Sequence, residues 1–120
     1  MINGSALPTL SRTQKRFMDE ILSTLEKILE QRKSATADNS YVASLYSQGT
    51  DKILDKISEE SAEVIKAAQD EGNEKIIYEV ADLWFHTLVL LRHKNISIKE
   101  IETELIRRFG ISGHTEKAAR

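Results

Sequence analysis

Asp51 to Lys94 reads DKILDKISEESAEVIKAAQDEGNEKIIYEVADLWFHTLVLLRHK, and this stretch decides the fold. Its first half carries Ile53, Ile57, Val64 and Ala67 or Ala68 at three- and four-residue steps. That is the stripe of an amphipathic helix, in which successive residues turn by about 100°. The run Asp70-Glu71-Gly72-Asn73 is a strong breaker, after which Asn73 is placed to cap a second helix ending near Lys94. So short a link makes the two helices antiparallel neighbours. From Val80 to Leu91 the second helix is apolar on nearly all sides, as expected of a buried one.

Outward from this hairpin the pattern stays helical. Upstream, Thr50 or Asp51 can cap the first of the two helices. Tyr41 to Ser47 forms a short helical segment stopped by Gly49, and Ser34 to Ser40 is a linker. A helix from Ser11 to about Lys33 is predicted by a capping box of Ser11 and Gln14 and by Phe17, Ile21, Leu25 and Ile28. Residues 1–10, with Gly4 and Pro8 and no periodicity, read as a flexible N-terminal arm preceding a single domain over 11–120. Downstream, Ser97 and Glu100 form another capping box, and Ile98, Ile101, Leu105 and Phe109 share a face up to Gly110. The tail from Ile111 to Arg120 has room for one more helical turn. The expected fold is all-α: a bundle of about four main helices plus short segments, completed by dimerisation.

Composition narrows the function classes. Only 6% of residues are aromatic and there is one Pro, a balance that favours helices over a turn-rich β fold. With 17 basic and 19 acidic residues, no global field draws the chain to nucleic acid or to a membrane surface. The most apolar stretch contains Asp82 and His86 and is too short to span a bilayer. Cysteine is absent, which removes disulfides, thiolate chemistry and Cys-based zinc sites. A cytoplasmic location is the expectation.

The chemistry shows as acids in the wrong place. On the helical wheel Glu60 falls in the middle of the apolar stripe, between Ile57 and Val64. Glu63 lies on the same side and Lys56 one turn back. The second helix repeats the anomaly with Glu79 and Asp82, three residues apart and flanked by Tyr78, Phe85, His86 and Val89. A carboxylate aimed at a core costs several kcal/mol, roughly, unless it is paired or bound to a cation. Two readings stand side by side: a hard cation held by oxygen ligands, or buried ion pairs with Lys56 or His86. Isolated steps such as Glu71 and Glu74 are ordinary solvated faces.

Glu59-Glu60-Ser61-Ala62-Glu63 followed by Glu79-Val80-Ala81-Asp82 resembles the Glu-Glu-x-x-Glu … Glu-x-x-Asp motif of the all-α nucleotide pyrophosphohydrolases, the MazG-like superfamily. The segments Ser40-Tyr41-Val42-Ala43, Ala81-Asp82-Leu83-Trp84-Phe85-His86 and Ser112-Gly113 with Glu116-Lys117-Ala118 narrow the likeness to the phosphoribosyl-ATP pyrophosphohydrolase family. It extends from about residue 17 to the C-terminus, with Val42 standing where the family often has Thr. The resemblance implies hydrolysis of the α–β phosphoanhydride of phosphoribosyl-ATP to phosphoribosyl-AMP and pyrophosphate, the second step of histidine biosynthesis. It also implies a homodimer and Mg²⁺, with Mn²⁺ as a substitute. Glu60, Glu63, Glu79 and Asp82 would be the metal ligands, and Glu59 a catalytic group that orients water. Lys56, Ser40, Tyr41 and His86 are candidates for contact with substrate, His86 also as a base or a satisfied buried histidine. The rivals are a house-cleaning hydrolase of dUTP or dCTP on the same acidic frame, and a non-catalytic helical adaptor whose acids form structural ion pairs.

Overall fold

The structure, a computed structural model, describes residues 11–13 and 20–110. Among the described residues from Glu20 to Gly110, five α-helices follow in order, and no strand occurs among the described residues. They are α1 (Ile21–Gln31), α2 (Tyr41–Gln48), α3 (Thr50–Asp70), α4 (Asn73–His93) and α5 (Ile98–Gly110), with a 3₁₀ turn at Arg32–Ser34 after α1. The all-α fold is as the periodicity predicts. Residues 1–10, Gln14, Phe17 and the tail 111–120, on which the expected arm, first cap and last turn depend, lie outside the described residues.

The α3–α4 hairpin is the main packing pair. Each of its helices starts behind a glycine and not behind the polar residue expected to cap it. Gly49 precedes α3 at φ 93° and Gly72 precedes α4 at φ 88°, and neither helix start has a side-chain cap. Thr50 and Asn73 are therefore the first helical residues, not caps. The positive φ at both junctions is a backbone conformation that only glycine adopts cheaply.

Two other helix starts are set by side chains, and one helix end by its backbone. Ser40 caps α2, its Oγ accepting from the Ala43 N–H at 3.1 Å. Ser97 and Glu100 form the reciprocal capping box before α5: the Ser97 N–H donates to Glu100 Oε2 at 2.8 Å, and the Glu100 N–H to Ser97 Oγ at 3.2 Å. Asn95, at φ 60°, takes the left-handed position after α4 that Asn tolerates. The expected first helix differs. Arg12 and Thr13 are helical but Glu20 is a turn residue, so the helix that joins the core begins at Ile21.

Leu29, Val42, Leu45, Ile53 and Val89 form the buried core, with Leu25, Tyr46, Ile57, Phe85 and Leu88 packed around it. It gathers one residue or more from each of α1 to α4. Tyr46 donates its hydroxyl to the Leu29 carbonyl at 3.0 Å, and burial pushes its pKa up to about 12. The corner between α4 and α5 is tied back to α1 by polar contacts. Glu26 Oε2 accepts from the Ile98 N–H at 2.8 Å, Lys33 donates to Asn95 Oδ1 at 2.8 Å, and Arg92 reaches Glu30 Oε1 at 3.2 Å. No helix among the described residues is long and apolar enough to cross a membrane.

Candidate metal centre

The hairpin aims acids from both helices into one cleft. A cavity of about 530 Å³ is lined by Glu59, Glu60, Ala62 and Glu63 from α3 and by Lys75, Tyr78, Glu79 and Asp82 from α4. All five acids singled out in the sequence thus share one space. Their burial differs: Glu79 is 4% exposed and Glu60 7%, while Glu63 and Asp82 are half-buried and Glu59 is open to solvent at the rim. The wheel that placed Glu60 in the apolar stripe describes its real surroundings.

Glu60 is the electrostatically loaded member. Burial pushes its pKa up to about 7, helped by a hydrogen bond to Asp82 and by the charges of Asp82 and Glu79, with Lys56 pulling the other way. Carboxylates set side by side in this way resist ionising together unless a cation neutralises them. Lys56 stands between the acids, 3.4 Å from Glu59 Oε1 and 4.0 Å from Glu60 Oε1. A second lysine does the same from α4. Lys75 Nζ lies 3.3 Å from Glu79 Oε2 and 5.0 Å from the centre of the Tyr78 ring, and its hydrogen bond to Glu79 raises its pKa.

Lys75 and Tyr78 complete the cleft wall, beyond the residues that spacing singles out. The signal for Lys75 was present, since Lys75 and Glu79 are four residues apart on a helix that also carries Asp82. In a first helical turn, however, a lysine reads as an ordinary solvated charge.

Among the described residues, Glu60, Asp82 and His86 bring ligand atoms within 4.8 Å of one another. The imidazole is already engaged on both sides. His86 Nδ1 is 2.9 Å from the Asp82 carbonyl oxygen and 3.3 Å from Asp82 Oδ1, and Nε2 is 2.7 Å from the Tyr41 hydroxyl. Nδ1 faces two acceptor oxygens and so donates, which leaves Nε2 to accept from the Tyr41 hydroxyl. What is left to a cation is carboxylate oxygen. Such a donor set fits a hard divalent ion. Glu63 and Glu79 line the same cleft outside that tight cluster.

The remaining candidates fall into two groups. Tyr41 is 51% exposed, and its ring lies edge-on to His86 beside the cleft. Burial raises its pKa, and the charge of Lys56 opposes that. Ser40 is spent largely on capping α2, and Val42 is core.

Fold and cleft together define an all-helical protein with a candidate metal centre held between the two helices of one hairpin. The profile of phosphoribosyl-ATP pyrophosphohydrolase matches residues 22–109, and the chain belongs to that family. Relatives named phosphoribosyl-ATP pyrophosphatase agree. One from Vesicomyosocius okutanii subsp. Calyptogena okutanii is 71% identical over 103 residues, covering 86% of this chain and 98% of its own. One from Hydrogenovibrio crunogenus is 53% identical over 106 residues, covering 85% and 94%. One from Neisseria meningitidis serogroup C is 49% identical over 102 residues, covering 85% and 95%.

Proposed function

We propose that this chain hydrolyses phosphoribosyl-ATP to phosphoribosyl-AMP and pyrophosphate, the second step of histidine biosynthesis, as a Mg²⁺-dependent cytoplasmic homodimer. The observation that carries the reading is the convergence of Glu59, Glu60, Glu63, Glu79 and Asp82 on one cleft in a chain of this family. Glu60, Glu63, Glu79 and Asp82 would hold the cation. When bound, Mg²⁺ neutralises the phosphate oxygens and acidifies water for attack on phosphorus.

The protein's own groups do the positioning. Glu59, exposed at the rim, would accept a proton from the attacking water. That water forms a new P–O bond as the bridging oxygen leaves with its electron pair. Lys56 is close enough to the acids to exchange Glu59 for a phosphate oxygen once those acids are otherwise neutralised. The open ring of Tyr41 offers a face to a base or ribose. Little covalent chemistry falls to the protein, so placement and electrostatics carry the rate.

Dimerisation has support of its own. A groove of about 420 Å³ runs between α4 and α5, with Leu22, Leu83, Trp84, Leu88, Ile101 and Leu105 among its walls. Trp84 is 59% exposed there, and a second copy is the natural cover for so apolar a surface.

The deciding assay is pyrophosphate release from phosphoribosyl-ATP beside a panel of nucleoside triphosphates that includes dUTP and dCTP, with Mg²⁺, with Mn²⁺ and with excess chelator. Turnover of phosphoribosyl-ATP far above the panel, abolished by chelator, is expected. Preference for a deoxynucleotide would replace the substrate, and undiminished turnover in chelator would remove the metal.

A further inference from the structure

The connection from Tyr41 through His86 to Asp82 crosses from α2 to α4 and ends on an acid of the cleft. His86 is 3% exposed, so both ring nitrogens must find protein partners, and both do. Its Nδ1–H sits between the carbonyl oxygen and Oδ1 of the same residue, Asp82, at 2.9 and 3.3 Å. A donor shared in this way restricts the torsion of the Asp82 side chain. The carboxylate is then held by His86 on one side, with a ligand atom of Glu60 within 4.8 Å of the pair. The ring itself cannot rotate, because Nε2 accepts the Tyr41 hydroxyl at 2.7 Å and Phe85 packs edge-on at 5.3 Å. The two Asp82 oxygens facing Nδ1 fix which nitrogen bears the hydrogen, and the Tyr41 hydroxyl answers by donating to the other.

We propose that His86, held in orientation by the Tyr41 hydroxyl, is a positioning residue that aims the Asp82 carboxylate into the cleft for the divalent cation. This rests on the reading of Asp82 as a ligand. It moves His86 away from substrate contact, and it makes the hydroxyl of Tyr41 part of the support while leaving its ring face free. Groups that orient a ligating carboxylate in this manner are worth about 10–100-fold in metal affinity.

The test measures Mn²⁺ binding to the full-length protein without nucleotide, by the EPR signal of free Mn²⁺, with a thermal melt of each variant. His86→Leu removes both contacts and should weaken Mn²⁺ binding by about 10-fold or more. In His86→Asn the amide nitrogen takes the place of Nδ1 and keeps the donor to Asp82, so binding should recover to within about threefold of the parent. His86→Gln places its amide near the Nε2 position and should not recover. Tyr41→Phe should fall between the two groups.

Should His86→Leu not fold, the contrast between Asn and Gln carries the test alone. Equal Mn²⁺ affinity in the parent, His86→Asn and His86→Gln overturns the proposal, since a histidine that merely packs would alter melting and not binding. Asp82→Asn separates the two levels. If it binds Mn²⁺ like the parent, the metal reading itself fails. If it loses binding while the His86 variants keep theirs, only the positioning role is lost.

Discussion

Glu60 holds a carboxyl with a pKa of about 7 because burial and its neighbours Asp82 and Glu79 oppose its charge. Linkage gives this a sign. In the unfolded chain the same group titrates near 4.5, so between about 4.5 and about 7 the native state binds more protons. Metal-free protein should therefore lose stability as pH rises through that window, as far as Glu60 decides the matter. Mg²⁺ needs the ionised form, so the melting-temperature gain from millimolar Mg²⁺ should grow between about pH 6 and about pH 8. Melts with and without metal across that range check both halves, and a gain that shrinks with pH would contradict the oxygen-ligand site. Asp82→Asn tests the neighbouring acid. As a ligand, Asp82 is indispensable to turnover, and its loss should relieve Glu60 and leave the metal-free protein at least as stable as the parent. If Asp82 serves instead as a structural ion-pair partner, the variant should lose about 3–5 kcal/mol and keep its activity.

At the scale of elements, the hairpin turn depends on one backbone conformation. Nothing lies within 4 Å of where a Cβ on Gly72 would sit, so Gly72→Ala meets no steric clash. The cost is the positive φ alone, about 1–3 kcal/mol, read as a lower denaturation midpoint with turnover per folded molecule unchanged. This turn also shows what was legible beforehand. The helices, the reversal at Gly72 and the convergence of Glu60, Glu63, Glu79 and Asp82 all follow from three- and four-residue spacing, because the helix repeat turns spacing into direction. Helix starts were less legible. Thr50 and Asn73 look like caps locally, but the chain reversal sets the backbone at the preceding glycine. The partnership of Tyr41 with His86 spans 45 residues, and no periodicity can announce a contact between helices whose packing is not yet known. Lys75 escaped because a first-turn lysine is usually solvated, and only the packing of α3 against α4 places it at the acids.

For the whole molecule, one chain covers its core but not its outer faces. Leu105 is 47% exposed and Phe109 82%, on the helix whose capping box and periodicity make it an unmistakable amphipath. The protein is expected to sediment as a dimer at micromolar concentration, and Trp84→Glu should shift it toward monomer with the helical content retained. A parent that sediments as a monomer would leave α5 without a partner. The ties from α1 to the α4–α5 corner carry a further consequence. Glu26 and Ile98 are 72 residues apart, and Glu30 and Arg92 are 62 apart, whereas the α3–α4 hairpin closes over a turn of two residues between Asp70 and Asn73. The hairpin can consolidate from local contacts, but the outer pair must meet across the length of the chain. Amide protons should accordingly exchange with deuterium most slowly in the middle of α3 and α4, and α1 and α5 should release theirs together, as one cooperative unit. Glu26→Ala would then speed exchange at the first turn of α5 and in α1 alike, while the protons around Glu60 and Val89 keep their protection: the acidic cleft sits on the part of the molecule that opens last.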